Sequence, residues 1–401
     1  MLLTLLLALA QDLPEPRVTQ LTRGPRHHFF GYIGHVRTVP WNESGRWLLA
    51  LRTEFQDRLP KPDEAADILL LDTTADYAAK KVDETRAWNF QQGTMLYWNP
   101  AAPETQFFFN DRDAQGRVFC ALFDVPSGKR VKEFRFEDTP IGNGGVSPKG
   151  VFAGLNYGRL ARLRPVTGYP GAFDWNEAFH PDDDGVFTVD VATGKKTLLL
   201  SFKRLAEILR PELPAVDEAG LFINHTLWSR DGERLFFFVR GGWEVPPLKA
   251  RQVNASFVIR PDGSGLTRMK AHIGGHPEWD AGAVMIGRRG KDQIRYDVDK
   301  QEVIDTIGTP ELIPDPEGDV ALSPDGTWFV NGYRGEKDKN RYVFLHRPSG
   351  KSLRSPLLPI GPWMGGPLRI DPAPCWNRAG DRIVVPALAP DGTRQMFLIT
   401  R

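Results

Sequence analysis

Near the C-terminus, Trp376-Asn377-Arg378-Ala379-Gly380 restates Trp41-Asn42-Glu43-Ser44-Gly45 near the N-terminus, and that repetition decides the fold. The shared pattern is Trp or Leu, then Asn, Ser or Asp, then two variable residues and usually a glycine. It returns at Trp98-Asn99-Pro100, Ser147-Pro148-Lys149-Gly150, Trp228-Ser229-Arg230-Asp231-Gly232, Trp279-Asp280-Ala281-Gly282 and Ser323-Pro324-Asp325-Gly326. Copies recur about every 50 residues, a period that in a strand-rich chain indicates propeller blades. One interval, between the third and fourth copies, is longer. Short apolar runs suited to strands follow the copies, as at 46–51, 234–239 and 382–385.

A second series interleaves with the first. Strand, Asp, turn, strand is legible at Leu69-Leu70-Leu71-Asp72, at Leu122-Phe123-Asp124 and at Val189-Asp190-Val191, with weaker copies later. These read as outer hairpins whose turns use glycine or a polar residue. The last copy, Met396-Phe397-Leu398-Ile399-Thr400, has no partner strand after it, while Arg17–Thr22 is a lone strand-like segment before the first blade. Pairing the two closes the ring and removes both exposed edges. The expectation is an all-β, seven-bladed propeller of four-stranded antiparallel blades, one domain over residues 16–401. Phe202–Leu209 is the only segment that reads as a helix.

Composition narrows the function. The 51 Lys and Arg nearly cancel the 50 Asp and Glu. No polybasic field argues for nucleic acid or an anionic membrane. Cys120 and Cys375 belong to no cysteine framework and read as buried free thiols. Residues 1–10 are apolar and end in Ala8-Leu9-Ala10, too short to span a bilayer. They read as a secretory signal segment, which puts the protein in the periplasm or outside the cell.

Aligning the blades locates a site. The position three before the signature Trp, or its counterpart, is Thr38, Met95, Asn143, His225, His276, Asp319 and Ala373 in turn. Such positions form a ring at one channel mouth. Two imidazoles and a carboxylate there, His225, His276 and Asp319, are a donor set for a divalent cation (Zn²⁺ or Mn²⁺). The plainer reading is a set of polar groups bonded to one another and to channel water. The long interval carries an insertion over residues 157–184, longer than an idle loop. It is rich in Tyr157, Arg159, Arg162, Arg164 and Tyr169. Arginine offers a rigid fork to a carboxylate, and tyrosine can move a proton beside a cation. His180 stands beside Asp182-Asp183-Asp184, where a Ca²⁺ loop competes with a capped, solvated turn.

Several short motifs carry a resemblance. His27-His28-Phe29-Phe30-Gly31-Tyr32, Pro40-Trp41-Asn42, Trp88-Asn89-Phe90-Gln91-Gln92-Gly93, Asn110-Asp111-Arg112, Pro181-Asp182-Asp183-Asp184-Gly185-Val186 and Asn224-His225 resemble motifs of bacterial propellers related to oligogalacturonate lyases and propeller-type ulvan lyases. That resemblance implies β-elimination on a uronic-acid-containing polysaccharide or oligosaccharide. The chemistry needs a cation to neutralise the carboxylate, a base for the C5 proton and an acid for the leaving oxygen. The resemblance implies His225 as base or metal ligand, His276 as metal ligand, Arg159 or Arg164 as carboxylate clamp, and Tyr157 or Tyr169 as acid or base. Asn89, Gln91 and Gln92 would contact sugar hydroxyls, with Asn143, Asn224 and His180 as further substrate contacts. The chain departs from the pattern where Asp319 and Ala373 replace histidines, and again near Val239 and Asn110-Asp111. A non-catalytic propeller of the TolB type, binding glycan or protein at the same mouth, accounts for those losses. A sialidase is disfavoured because the turn at Ser323-Pro324-Asp325-Gly326 places glycine one position too early for an Asp-box.

Overall fold

The computed structural model describes residues 15–31, 38–243 and 252–401. The apolar leader over 1–10 and His35 lie outside the described residues. Seven antiparallel sheets follow one another along the chain, and each has four strands in sequence order. The sixth blade adds a short fifth strand, Leu358–Pro359. The exception to sequential order is the seventh blade, where Cys375–Trp376, Arg382–Leu388 and Arg394–Thr400 are completed by Arg17–Gln20. In that seam Arg17 lies opposite Thr400 and Gln20 opposite Phe397. The expected closure of the ring by the N-terminal strand is therefore present, over four residue pairs.

The repeated signature has two physical jobs. Its Asn or Ser side chain caps the first hairpin of the blade: Asn42 Oδ1 accepts from the Trp47 N–H at 2.9 Å, Ser229 Oγ from Arg234 at 2.9 Å and Ser323 Oγ from Trp328 at 2.9 Å. The glycine that follows, such as Gly45 at φ 75° or Gly326 at φ 76°, takes the left-handed backbone the turn requires. Its tryptophan stitches one blade to the one before. Trp98 Nε1 donates to the Pro40 carbonyl, Trp228 to Gly145, Trp279 to Leu227 and Trp376 to Ala321. A buried indole thus satisfies its own donor while packing between sheets. Cys120 and Cys375 are buried free thiols.

Between the second and third strands of the third blade, Val151–Leu155 and Gly185–Asp190, the chain makes its excursion. It opens with a helix, α1 (Tyr157–Leu163), which the sequence reading does not anticipate. Asn156 caps it, its side chain accepting from the Arg159 N–H. Seven residues, about two turns, are shorter than the window over which amphipathic periodicity is read, so the cap is the main local signal. The anticipated helix, α2 (Phe202–Leu209), is present and capped by Ser201.

Candidate functional site

Three of the seven ring positions share an unusual backbone. Met95, His225 and Ala373, equivalent residues of the second, fourth and seventh blades, all have positive φ, at 56°, 54° and 45°. For non-glycine residues this conformation costs about 1–3 kcal/mol and persists only where surroundings impose it. At His225 it coincides with a register break between Asn224 and Leu227, and such bulges re-aim side chains.

His225, His276, Asn224, Gln91, Gln92 and Arg164 line one cavity of about 90 Å³, together with Thr167, Arg240, Gly275, Arg369 and Asp371. The two imidazole rings are 5.4 Å apart and edge to face. Asp319 lies behind them, 2% exposed, with Oδ1 2.6 Å from His276 Nδ1 and Oδ2 accepting from the Ala373 N–H at 2.8 Å. Burial alone would lower the His276 pKa, but the Asp319 charge and hydrogen bond, aided by Asp371, raise it above 6.5. The Asp319 carboxylate therefore favours the protonated form of the His276 imidazole.

Three arginines converge on this cavity, and two of them, Arg240 and Arg369, escape the sequence reading. Arg240 ends the second strand of the fourth blade, Leu235–Gly241, and is 8% exposed. Its guanidinium lies 4.2 Å from the Phe238 ring centre, and Nε and Nη1 donate to Asn254 at 3.0 Å and Asn224 at 3.3 Å. No carboxylate among the described residues pairs with it. Burial first, then the Arg164 charge, lowers its pKa to about 9. Arg164 follows α1 and lies 5.2 Å from the Trp243 ring centre; its buried Nε has no partner among the described residues. Burial and Arg369 lower its pKa. Arg369 is paired with Asp371 at 2.6 Å, and burial raises the Asp371 carboxyl.

The other candidates surround this cavity without lining it. Tyr157 and Tyr169 are 1% and 0% exposed and stack at 4.3 Å, and burial raises both hydroxyl pKa values. Tyr157 donates to the Asn143 carbonyl, and Tyr169 accepts from Asn110. Asn143 is fully buried and its side chain bridges Met95 and Gly145. Arg159 donates to the carbonyls of Leu221, Asn176, Ala178 and Phe179, which ties the excursion to the fourth blade. Asn89 caps the turn that presents Gln91 and Gln92, accepting from both N–H groups, and donates to Gly168 of the excursion. Gln91 Nε2 is buried in the cavity wall without a protein acceptor among the described residues. His180 bonds the Ala219 carbonyl at 3.2 Å, away from the cavity.

These donors do not fit a resident divalent cation. Both oxygens of Asp319 are committed, one to His276 and one to a backbone N–H. Asp371 is committed to Arg369, and three guanidinium groups face the space a cation would share. No group of three His, Cys, Asp or Glu among the described residues is arranged as a metal site. Of the expected His225–His276–Asp319 set, His225 and His276 line the cavity, whereas Asp319 stands behind His276 and is paired with it.

The fold defines the class: a seven-bladed β-propeller with a basic, histidine-bearing cavity lined by residues of several blades. Its structural neighbours include an oligogalacturonate lyase in complex with manganese, at TM-score 0.61 and 14% identity, covering 96% of this chain and 92% of that one. They also include a TolB protein of Agrobacterium tumefaciens, at TM-score 0.40 and 13% identity over 96% of this chain and 97% of that one. A prolyl endopeptidase matches at TM-score 0.49 and 14% identity, 96% of this chain covering 48% of it. No family model and no curated protein matches the chain by sequence.

Proposed function

We propose that this propeller is an exported polysaccharide lyase-like enzyme that acts by β-elimination on uronic-acid-containing glycans. One observation carries the reading: Arg240, a buried guanidinium with no carboxylate beside it among the described residues, faces a cavity that also holds Arg164, His225 and His276. An uncompensated buried cation is expensive, and a substrate carboxylate is the chemistry that would offset it. The fold neighbour that is an oligogalacturonate lyase supports the same substrate class by analogy.

In this mechanism Arg240 and Arg164 neutralise the uronate carboxylate, which makes the C5 proton more acidic. His225, on its strained backbone, takes that proton. The C4–O bond breaks, and the His276 imidazolium, poised by Asp319, donates to the departing oxygen. Gln91, Gln92 and Asn224 contact hydroxyls. Tyr157, Tyr169 and Asn143 support the floor, while Arg159 and His180 anchor the excursion. The apolar leader is consistent with export. The test measures the ultraviolet absorbance of unsaturated product on pectate, ulvan, alginate and glucuronan. Product that disappears in His225→Ala and Arg240→Met supports the lyase. Polymer retention without product would assign a binding propeller instead, and neither product nor retention would end the uronate reading.

A further inference from the structure

A second, smaller chamber adjoins the arginine cavity and shares Gln91, Arg369 and Asp371 with it. It lies between the seventh and first blades, and its walls are chiefly apolar: Phe29, Phe90, Val384, Val385 and Met396 among others. Beside the shared polar residues, one further buried cation breaks that surface. Arg394 is 2% exposed, and its Nε has no partner among the described residues. The guanidinium is fixed in place, because Nη2 donates to the Leu368 carbonyl at 2.6 Å and the group sits 4.7 Å from the Phe90 ring centre.

We infer that this chamber is a subsite for an O-acetyl group on the uronate glycan, the methyl against the apolar wall and the carbonyl oxygen accepting from Arg394 Nε. The inference rests on the uronate reading of the larger cavity and names the substrate more closely. Size is the first argument. The chamber holds about 30 Å³, whereas one water needs about 10–15 Å³, so two or three heavy atoms fit and a sugar ring does not. Polarity is the second. A carboxylate brings a charge and about four acceptor sites into a space that Asp371 also lines and that offers two orphan donors, Arg394 Nε and Gln91 Nε2, while the two lone pairs of an ester carbonyl match those two donors. The apolar wall then accepts the methyl without leaving a polar group unmet.

The test compares chemically O-acetylated polyglucuronate and polygalacturonate with the same polymers after mild alkaline de-acetylation. Both binding and product release are measured. One buried methyl and one hydrogen bond give an expected preference of about tenfold for the acetylated polymer. Val384→Phe fills the chamber and should bring the ratio to about one, with de-acetylated polymer handled as by the wild type. Val384→Ile, a gentler filling that keeps the fold, should reduce the ratio partway. A wild-type protein that handles both forms equally overturns the subsite and leaves the uronate reading intact. So does a preference that survives in folded Val384→Phe. Failure to bind or cleave either form overturns both.

Discussion

Arg159 and Arg240 are both buried guanidinium groups, and their surroundings give them opposite meanings. Arg159 spends its donors on four backbone carbonyls, so Arg159→Met should destabilise the protein by about 2–4 kcal/mol in urea melts. Arg240 carries a charge that burial opposes, so Arg240→Met should keep or raise the thermal midpoint while lowering kcat/KM at least a hundredfold. Arg240→Lys should not restore activity, because an ammonium lacks the planar fork. His276 supplies a pH signature. Its folded pKa is raised, so the native state holds the proton more tightly than the unfolded chain, and the pair's stabilisation is complete below about pH 6.5. That stabilisation is lost as pH rises through the elevated folded value. Denaturant titrations should show stability declining above pH 6.5 in the wild type, and the decline should vanish in His276→Gln. Activity should fall over the same range if His276 is the acid.

At the scale of elements, the ring is closed by only four paired residues, Arg17–Gln20 against Phe397–Thr400. Removing residues 1–20 should cost about 4 kcal/mol, at about 1 kcal/mol per lost ladder bond, and expose Arg394–Thr400 as an aggregation-prone edge. A lower urea midpoint with concentration-dependent light scattering would register both. This seam was legible because a strand without a partner at each end of a repeat array has few other places to go. The blades were legible for a similar reason: Trp41, Trp98, Trp228, Trp279 and Trp376 recur because each inner hairpin needs the same turn and each interface a large apolar filler. α1 was not, since two short turns of helix are fixed by Asn156 and by packing rather than by periodicity. Arg240 and Arg369 escaped notice because blade alignment finds equivalent positions on innermost strands. One sits on a second strand and the other in a connecting loop, where a lone arginine has no period to betray it.

For the molecule as a whole, charge is the property that joins fold and site. Lys and Arg exceed Asp and Glu by only one residue, 51 against 50, so no long-range field draws a polyanion to the surface. The positive charge that matters is concentrated in one partly dry cavity, where Arg164, Arg240 and Arg369 outnumber the carboxylates. Close contacts in such a cavity are screened far less than exposed charges separated by more than a Debye length of about 8 Å. Affinity for short oligouronates should therefore change by less than about threefold between low and physiological salt, where surface-steered binding would fall far more steeply. The same charge excess opposes a metal ion. Manganese should leave the thermal midpoint unchanged, and a chelator should leave turnover unchanged, because guanidinium groups already supply the neutralising charge. Calorimetry with manganese, read beside a titration with oligouronate, separates the two: heat from the sugar alone fits an arginine-lined mouth, and tight stoichiometric heat from the metal would sink that assignment.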